Sequence, residues 1–502
     1  MKQHGYYTTS SYIVNYYAEF NPVHVELFSL IHGLERPPSR SFVDMGCGMG
    51  LNTILTGIAN PSIKCTGVDL MSSHIQWAKD LLVNRFSGTP PPNIQFHCAS
   101  VEDLSLIEHQ ETYDLIAFHG FFSWVPKESL NAALNFVKTK LHQDGIVYTG
   151  LNVDGIYSHF EPWRKLALAF QREDGSVQRS PQQRIVELTE YLESLMSVAS
   201  ETRIPFSNTL EAFVQLLKNK DPEYLCHELL NEDWRNLSFV EWAQMFHQRS
   251  NLRFIGTAAP SKLYPQLSLL PAAQSFLARQ SGGEAGTQLE NILTGTTFRN
   301  DLWSMKKAHL DRSERLKRIG YFKVLLMCSS EDVSLNYKTG NLSINLDPKV
   351  YHPILQRLEQ CSWTTIAELM QLNSSEPLLI LQAILILYSR GHLALSPPQP
   401  PQAKARQQCH QFNYCEMERS LSGENIGFMV SPATGGGIQW SRANSTFLCL
   451  FMKGRTQAQT LSAAYFEHNP ETTIEQTKEM THRFLTKSLR LVRELDLCDL
   501  ST

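Results

Sequence analysis

Short apolar runs alternate with segments of helical period over the first third of the chain. Apolar runs of six to eight residues, the length of buried strands, occupy 41–46, 64–70, 94–100, 113–120 and 145–152. Apolar positions at helical spacing predict helices over 51–59, 72–86 and 128–145. Ser72 or Ser73 would cap the second of these helices, and Gly145 would end the third. This alternation predicts an α/β fold whose parallel-rich sheet carries helices on both faces.

The pattern changes after about residue 160. Segments of helical period follow one another with few strand signals, at 180–199, 209–219 and 238–248. Three more helical patterns and a short apolar strand lie within 348–395, an order that resembles a winged helix. The stretch 396–408 contains four prolines and predicts a linker. A final helix is expected from about Thr472 to Leu497.

These changes of pattern divide the chain into four predicted domains. They are a core over 1–160, a mostly α-helical middle domain over 161–340, a winged-helix-like domain over 341–400 and a C-terminal domain over 401–502. A length of 502 residues agrees with several domains, because single hydrophobic cores stop growing at about 250–300 residues.

Composition and charge argue against several classes of partner. The net charge of -4 provides no basic field for nucleic acid, and the mixed charges of 348–395 argue against DNA binding there. The most apolar run, 377–388, is too short to cross a bilayer, and the first residues lack the layout of a signal peptide. We therefore expect a soluble cytoplasmic protein without a nucleic-acid or membrane partner. The ten cysteines include no CxxC pair, which predicts reduced thiols and no metal site.

The stretch FVDMGCGMG (42–50) places three glycines at alternate positions between a predicted strand and a predicted helix. Gly46, Gly48 and Gly50 would let the backbone turn sharply and approach a ligand closely. A dinucleotide site of the GxGxxG type uses such a loop for pyrophosphate, but here Asp44 precedes the glycines and would repel phosphate. A carboxylate at this position favours a cationic amino group.

Acidic residues also follow the next two predicted strands. Asp69, with Leu70 after it, ends the second strand, where a carboxylate can accept hydrogen bonds from both ribose hydroxyls of a nucleoside. Glu102 or Asp103 follows the third strand and could accept one from an adenine amino group. With the glycine loop, including Cys47, these residues describe a nucleoside that carries a cationic amino acid. S-adenosylmethionine fits better than a nicotinamide cofactor, and a degenerate fold that binds neither is the other alternative.

The string DMGCGMG (44–50) resembles the glycine motif of the class I S-adenosylmethionine-dependent methyltransferases. Further segments resemble a narrower bacterial family in which that core carries a methyltransferase regulatory domain, and this family includes the rickettsial protein-lysine methyltransferases. The segments are YDLIAFHGFFSWVP (113–126), YLCHELLNEDW (224–234) and TTFRNDLW (296–303). The resemblance covers the core and the middle region. It implies a Rossmann-like core, S-adenosylmethionine as methyl donor, S-adenosylhomocysteine as product and protein lysine as acceptor.

Two segments that border the substrate entrance depart from the pattern of that family. After the fifth strand the family usually reads YNT followed by PG, whereas this chain reads LNVDG (151–155) and lacks the proline. Before the first helix, EFNPVH (19–24) stands where the family has Thr-x-Pro or a similar sequence. An acceptor other than lysine is therefore left open.

The resemblance implies that the transferable methyl group points toward the end of the fourth strand. His119 could there accept a proton, orient the acceptor, or contact only the cofactor through its backbone. Phe121, Phe122 and Trp124 could form a dry aromatic wall that disfavours the ammonium form of an amine and contacts the methylated product. The alternatives are that both phenylalanines belong to the core and that Trp124 caps the next helix.

An N-terminal segment often closes over the cofactor in the resembling family. This chain has several tyrosines there, and Tyr16 or Tyr17 is the best candidate for part of a lid. Aromatic packing of a helix is the alternative for all of them. The tyrosines are Tyr6, Tyr7, Tyr12, Tyr16 and Tyr17.

The sequence therefore predicts an S-adenosylmethionine-dependent N-methyltransferase that acts on a protein or peptide side chain. Lysine is the acceptor by resemblance, and asparagine or another side chain is open. The predicted catalytic residues are His119, Trp124 and Tyr17. Two alternatives stand beside this prediction, a small-molecule methyltransferase and a non-catalytic scaffold that binds the cofactor. A homodimer is also expected as one arrangement of the extra domains.

Overall fold

The computed structural model of the chain describes residues 2–3, 6–7, 14–35, 37–106, 112–173, 179–202, 207–280, 282–339, 342–373 and 375–500. Its centre is a seven-stranded sheet in the order β3-β2-β1-β4-β5-β7-β6. Strands β1 to β5 are parallel, β7 is antiparallel to β5, and β6 is antiparallel to β7. The strands are β1 Ser41–Met45, β2 Lys64–Asp69, β3 Ile94–Cys98, β4 Tyr113–His119, β5 Leu141–Asn152, β6 Arg253–Thr257 and β7 Phe298–Ser304.

Alternate residues of the central strands enter opposite cores, as the pleat of a strand requires. In β1, Phe42 packs on the side that also holds helix α1 (Pro22–Ile31), whereas Val43 packs on the other side. In β5, Tyr148 packs on the side that holds α1 and Val147 packs on the other side. All these side chains are almost fully buried, so the sheet is covered on both faces and the predicted α/β arrangement is confirmed.

Helices follow the strands of the core and form most of the middle region. Helix α9 is fixed at its start by a capping box in which Ser238 and Glu241 bond each other's backbone. Helices α2 to α12 are α2 Leu51–Ala59, α3 Ser72–Arg85, α4 Lys127–Lys140, α5 Ile156–Glu173, α6 Pro181–Thr202, α7 Ser207–Asn219, α8 Pro222–Leu229, α9 Phe239–Ser250, α10 Pro271–Ala278, α11 Glu284–Thr294 and α12 Arg312–Ile319.

The middle region also supplies β6 and β7, which the sequence pattern did not predict. The 160/161 boundary therefore does not separate the sheet from the middle domain, and it falls inside α5. In β7 the buried Arg299 guanidinium donates to both oxygens of Asp301, over 2.7 and 2.9 Å, and to Asn291. These charged residues compensate each other, so they can occupy an interior strand.

Three local predictions were wrong. Helix α4 ends at Lys140 rather than Gly145, because Leu141 is already extended and begins β5. Helix α3 is capped by Met71 rather than Ser72 or Ser73, and the Asp69 carboxylate accepts a hydrogen bond from the Met71 amide. The predicted linker 396–408 includes the first turns of a helix that begins at Ala403.

The winged-helix-like unit has a three-stranded sheet in the order β11-β8-β12 and three helices. Its sheet strands are β8 Lys323–Leu326, β11 Thr364–Thr365 and β12 Leu393–Ser396, and its helices are α13 Pro348–Gln360, α14 Ile366–Met370 and α15 Pro377–Ser389. A hairpin of β9 Asn336–Thr339 and β10 Leu342–Asn345 adjoins it.

The C-terminal unit packs directly on the core. Its elements are α16 Ala403–Ser420, β13 Phe428–Ser431, β14 Gly436–Gln439, α17 Arg442–Met452, α18 Ala458–His468, α19 Ile474–Arg483 and α20 Leu489–Glu494. Arg85 of α3 and Glu416 of α16 form a buried ion pair of 2.6 Å. Asn21 and Asn60 both donate to the Gly435 carbonyl over 2.8 Å, which fixes the β13–β14 hairpin on the core.

Two features concern membranes and metals. Among the residues described above, no helix has both the length and the apolar character needed to span a bilayer. Within the same residues, no cluster of three or more His, Cys, Asp or Glu side chains is arranged to hold a metal ion. Each of the ten cysteines is a free thiol.

Candidate active site

The glycine loop between β1 and α2 depends on left-handed backbone conformations. Gly46, Gly48 and Gly50 have φ of 72°, 54° and 72°, a region that residues with a side chain rarely adopt. The amides of Gly46 and Cys47 both donate to the Val68 carbonyl, over 2.8 and 3.0 Å. The Gly48 amide donates to Asp69 Oδ2 over 2.8 Å.

These hydrogen bonds decide what the loop can bind. A pyrophosphate loop must point its backbone N–H groups at the ligand. Here the N–H groups of Gly46, Cys47 and Gly48 are directed at the neighbouring strand β2. The loop therefore offers close backbone approach without a phosphate cradle, which favours a nucleoside with no phosphate.

A cavity opens where β1 to β4 end, and we call it the strand-end cavity. Asp69 and Leu70 lie at the end of β2, Glu102 lies beyond β3, and His119 and Trp124 lie at and beyond the end of β4. The predicted site residues that the structure brings together here are Gly46, Gly48, Asp69, Leu70, Glu102, His119 and Trp124.

Asp69 organises one wall of the strand-end cavity. Its carboxylate accepts hydrogen bonds from the amides of Gly48 and Met71, each over 2.8 Å, and lies 3.3 Å from His74 Nδ1. His74 was not predicted from the sequence. Its ring lines the cavity, is 4% exposed, and has no hydrogen-bond partner at Nε2 among the described residues. A polar ligand in the cavity would satisfy this nitrogen; the only signal in the sequence is its place in the first turn of α3.

The other predicted cofactor residues lie outside the cavity lining. Asp44 is buried beside Thr53 Oγ1 at 3.4 Å, and burial raises the pKa of its carboxyl to about 7. Burial likewise raises the pKa of the Cys47 thiol. Gly50 is needed for packing, because an added Cβ would meet the Phe96 ring at 2.5 Å. Asp103 is exposed and accepts a hydrogen bond from Ser100.

The two acids after β3 therefore have different surroundings. Glu102 lines the strand-end cavity and accepts a hydrogen bond from Ser129, which also lines it. Glu102 is exposed like Asp103 but lines the cavity, so we expect Glu102→Ala to weaken binding of S-adenosylmethionine roughly tenfold, the effect of one charge-assisted hydrogen bond. Asp103→Ala should change the dissociation constant by less than about threefold. Isothermal titration of both variants checks this, and a larger loss in Asp103→Ala would contradict the assignment.

His119 stands in an aromatic cluster at the end of β4. Its Nδ1 lies 2.9 Å from the Tyr148 hydroxyl, and its ring centroid lies 3.9 Å from that of Tyr17 and 5.5 Å from that of Phe298. Burial lowers the pKa of His119 to about 4, so the ring is neutral at physiological pH. A neutral imidazole can accept or donate a hydrogen bond, depending on its tautomer.

The three aromatic residues that follow β4 differ in whether they line the strand-end cavity or belong to the core. Phe121 lines the strand-end cavity, and its ring lies over Gly46. Phe122 is fully buried against Trp242 and belongs to the core. Trp124 lines the cavity and is not a helix cap, since Pro126 caps α4.

Tyr17 lies over His119 rather than in the cavity lining. Its amide donates to Asn52 Oδ1 over 2.9 Å and its carbonyl accepts from Asn52 Nδ2 over 2.7 Å. The N-terminal segment is thus attached at the first turn of α2, above the glycine loop. Tyr12 lies outside the described residues.

Two family matches coincide with this geometry. Residues 42–145, which contain β1 to β4 and the glycine loop, match the family described as methyltransferase domain. The chain is an S-adenosylmethionine-dependent methyltransferase. Residues 221–304 match the family described as predicted methyltransferase regulatory domain. This second match includes β6 and β7, so the regulatory segment of the methyltransferase completes the sheet of the catalytic core.

Known proteins resemble the methyltransferase over most of its length. An uncharacterized protein of Synechocystis sp. is 25% identical over 460 residues, 90% of this chain and 88% of that protein. The structure of PKMT2 from Rickettsia typhi in complex with AdoHcy has a TM-score of 0.69 at 16% identity and covers 97% of this chain and 99% of that chain. This likeness shows that the fold is shared along the whole chain.

Another resemblance covers a smaller part of the chain. The malonyl-[acyl-carrier protein] O-methyltransferase of Acetivibrio thermocellus is 29% identical over 105 residues, 21% of this chain and 33% of that enzyme.

The strand-end cavity fits S-adenosylmethionine, whose demethylated product is S-adenosylhomocysteine. Asp69 would accept from the ribose, and Glu102 would accept from the adenine amino group. The unpartnered Nε2 of His74 offers one more polar contact inside the cavity. When bound, the cofactor supplies a methyl group on a positive sulfur.

Proposed function

We propose that the methyltransferase acts on a nitrogen of a protein or peptide side chain, with lysine as the first candidate. The observation that supports this is a pair of clefts between the core and the accessory units. The first cleft is lined by Tyr16, Glu19, Tyr388 and Phe428, among others. The second cleft includes Lys262, Glu290, Phe298, Tyr337 and Arg390.

Each cleft includes a residue that contacts His119 or that is adjacent in sequence to one that does. The first cleft includes Tyr16 and Ala18, on either side of Tyr17, whose ring lies against His119. The second cleft includes Phe298, whose ring centroid lies 5.5 Å from that of His119. The two share Pro260 and Ser389. Two adjoining open clefts of this kind suit an extended polypeptide better than a metabolite, which binds in an enclosed pocket.

Relatives support the same acceptor class. The structure of PKMT2 from Rickettsia typhi matches the whole chain, and the sequence resembles the rickettsial protein-lysine methyltransferases. The net charge of -4 agrees with a protein acceptor rather than a nucleic acid. A cytoplasmic location and a homodimer stay predictions.

Methyl transfer to nitrogen needs no covalent intermediate with the protein. A nitrogen lone pair forms the new N–C bond, the C–S bond breaks, and sulfur keeps its electron pair, giving S-adenosylhomocysteine. The nitrogen then loses one proton to solvent or to a base. Alignment and exclusion of water therefore dominate. Free lysine has a pKa of about 10.4, so an apolar surface that disfavours its ammonium form helps the reaction. Phe121 and Trp124 supply such a surface.

His119 is the residue best placed to orient or deprotonate the acceptor. We expect His119→Ala to lower kcat roughly tenfold to a hundredfold, with the dissociation constant of S-adenosylhomocysteine within about threefold of the wild-type value. Because the pKa of His119 is about 4, its ionisation should leave kcat unchanged between pH 6 and pH 9. Tyr148→Phe serves as the matched variant that removes only the hydroxyl contact. A loss of cofactor affinity with normal kcat would remove His119 from the catalytic residues.

The acceptor class is tested by incubation of the methyltransferase with S-adenosylmethionine labelled in its methyl group. A cell lysate is separated into macromolecules and small solutes, and labelled macromolecules are treated with protease or nuclease. Label that becomes acid-soluble after protease supports the proposal. Label confined to small solutes would indicate a small-molecule methyltransferase. Cofactor binding without label in any fraction would indicate a scaffold.

A further inference from the structure

We propose that the first cleft binds a cationic side chain of the acceptor polypeptide, with Glu19 as its counter-ion. This rests on the proposed function and assigns a chemical preference to one of the two clefts. The ligand class is a lysine side chain or its methylated forms.

The charges of the first cleft are one-sided. Among the described residues that line it, Glu19 carries the one carboxylate, and none is a lysine or arginine. His24 also lines the cleft, but burial lowers its pKa to about 4, so it is neutral at physiological pH. Its ring nitrogens are occupied by the Tyr388 hydroxyl at 2.9 Å and the Ala258 carbonyl at 2.7 Å. The cleft is therefore negative overall.

Glu19 has no salt-bridge partner among the residues for which the structure gives positions. Burial raises the pKa of its carboxyl, and a hydrogen bond from its own backbone amide offsets only part of this increase. Burial raises the pKa values of Tyr16, Tyr148 and Tyr388, and the charge of Glu19 adds to the increase in each. Tyr16 and Tyr388 line the first cleft, whereas Tyr148 contacts His119. The carboxylate is thus close enough to act on both the cleft and the aromatic cluster at His119.

Aromatic rings form part of the same cleft. The Tyr16 hydroxyl accepts a hydrogen bond from Asn21 over 2.9 Å, and the Tyr388 hydroxyl is bonded to His24. Tyr16 also packs against Phe428, with ring centroids 6.3 Å apart. These contacts fix the rings, so the parts of them that line the cleft form a preformed surface for an ammonium or methylammonium group. A carboxylate beside aromatic rings is the combination that recognises such cations.

The position of Glu19 connects recognition with the chemistry. Glu19 lies in the single turn Ala18–Phe20, directly before Phe20 and two residues after Tyr17. The rings of Tyr17 and Phe20 lie 3.9 and 5.6 Å from the His119 ring, centroid to centroid. Glu19 is therefore adjacent in sequence to Phe20, a ring of the aromatic cluster at the end of β4. A cation held by Glu19 would be bound near that cluster.

The second cleft carries more positive than negative side chains. Lys262, Lys338 and Arg390 line it together with Glu290 as its carboxylate. Lys262 is half-buried and donates to the Phe298 carbonyl over 2.8 Å. A cationic ligand would meet an excess of positive charge there, so the first cleft is the one suited to lysine.

The test uses pools of short peptides with random uncharged flanks and a fixed central residue. The central residue is lysine, norleucine, which has a similar length without charge, or glutamate. Binding of each pool to the methyltransferase saturated with S-adenosylhomocysteine is measured by competition with a dye-labelled lysine pool. We expect the lysine pool to bind about tenfold or more tightly than the norleucine pool, and the glutamate pool to bind weakest.

Two variants then locate this preference. Glu19→Gln keeps the side-chain shape and should reduce the lysine preference to within about twofold, whereas Glu290→Gln, which removes the carboxylate of the second cleft, should keep it. Ala18→Lys adds a cation at an exposed position of the first cleft and should also abolish the preference, which covers the case that Glu19→Gln fails to fold. Unchanged S-adenosylhomocysteine affinity verifies an intact core. An unaltered lysine preference in Glu19→Gln or in Ala18→Lys would overturn the proposal.

The outcomes separate this proposal from the proposed function. If a polypeptide is methylated and the Glu19 variants bind lysine peptides normally, the acceptor class stands and the assignment of the first cleft fails. If lysine peptides bind in a Glu19-dependent way and only small solutes are methylated, the assignment of the cleft stands and the proposed function fails.

Discussion

Asp69→Ala is expected to abolish measurable binding of S-adenosylmethionine at concentrations that saturate the wild-type methyltransferase. The Asp69 carboxylate lines the strand-end cavity and also holds the amides of Gly48 and Met71. The variant therefore loses the acceptor for the ribose hydroxyls and one of the contacts that shape the glycine loop. Two charge-assisted hydrogen bonds of about 1.5–3 kcal/mol each correspond to a loss of affinity of at least about a hundredfold.

Isothermal titration with S-adenosylmethionine and with S-adenosylhomocysteine measures this loss. Asp80→Ala is the matched control, because Asp80 is an exposed acid on α3 that accepts a hydrogen bond from Gln76 of the same helix. The control should bind like the wild type within about twofold. Affinity for Asp69→Ala within about threefold of the wild type would mean that the cofactor does not lie at the end of β2.

Glu416→Ala is expected to have the largest effect on stability. Glu416 is 0% exposed and Arg85 is 5% exposed. Oε1 of Glu416 lies 2.6 Å from Nε of Arg85. Its other oxygen accepts from the Ile426 amide over 2.8 Å. Removal of one partner leaves the Arg85 charge buried without compensation, which costs about 3–5 kcal/mol. The carboxyl-terminal unit should therefore separate from the core at a lower urea concentration.

Urea unfolding followed by tryptophan fluorescence and circular dichroism checks this expectation. Glu418→Ala is the control on the same helix, because Glu418 is exposed and pairs with Lys453 at 2.9 Å; it should cost less than about 1 kcal/mol. The double substitution of Arg85→Met and Glu416→Leu should recover part of the loss, since no charge then stays buried. Equal unfolding midpoints for the two single variants would contradict a structural role for the buried pair.

The strands of the catalytic core were predictable because each is a local apolar run. Strands β1 to β5 lie close to the predicted positions, and the glycines between β1 and α2 have the left-handed conformations that their spacing required. Strands β6 and β7 were not predicted. Each depends on partners far away in the chain, and β7 carries the polar residues Arg299, Asn300 and Asp301, which interrupt any apolar run; the Arg299–Asp301 ion pair that the sequence indicated is present, but the strand that contains it was not recognised.

The site could be predicted as a set of strand ends, but the direction of each side chain could not. Asp44 and Asp69 both belong to the parallel strands beside the glycine loop, yet Asp44 is buried beside α2 while Asp69 lines the strand-end cavity. The same limit applies to Glu102 and Asp103, which are neighbours with different surroundings. Sequence spacing gives the strand end, whereas the packing of α2 and α3 decides which carboxylate faces the ligand.

The clefts were beyond sequence reasoning for another reason. The first cleft combines residues 15–24, 388–395 and 428–439, which come from three units of the chain. No periodic pattern relates these segments, so only the packed structure brings Glu19 beside Tyr388 and Phe428. The proposed acceptor preference therefore depends on contacts between segments that are far apart in the chain. The residues expected to bind the cofactor instead follow strands that can each be recognised from the local sequence.

The central claim is that the cofactor lies across the ends of β1 to β4, in the strand-end cavity. A crystal structure of the methyltransferase with S-adenosylhomocysteine tests it most directly. We predict density for the nucleoside between Asp69 and Glu102, with the amino-acid portion at Gly46 and Gly48 and the sulfur directed toward His119. Density for the compound at any other site, or a strand-end cavity that stays empty at saturating concentration, would contradict the account.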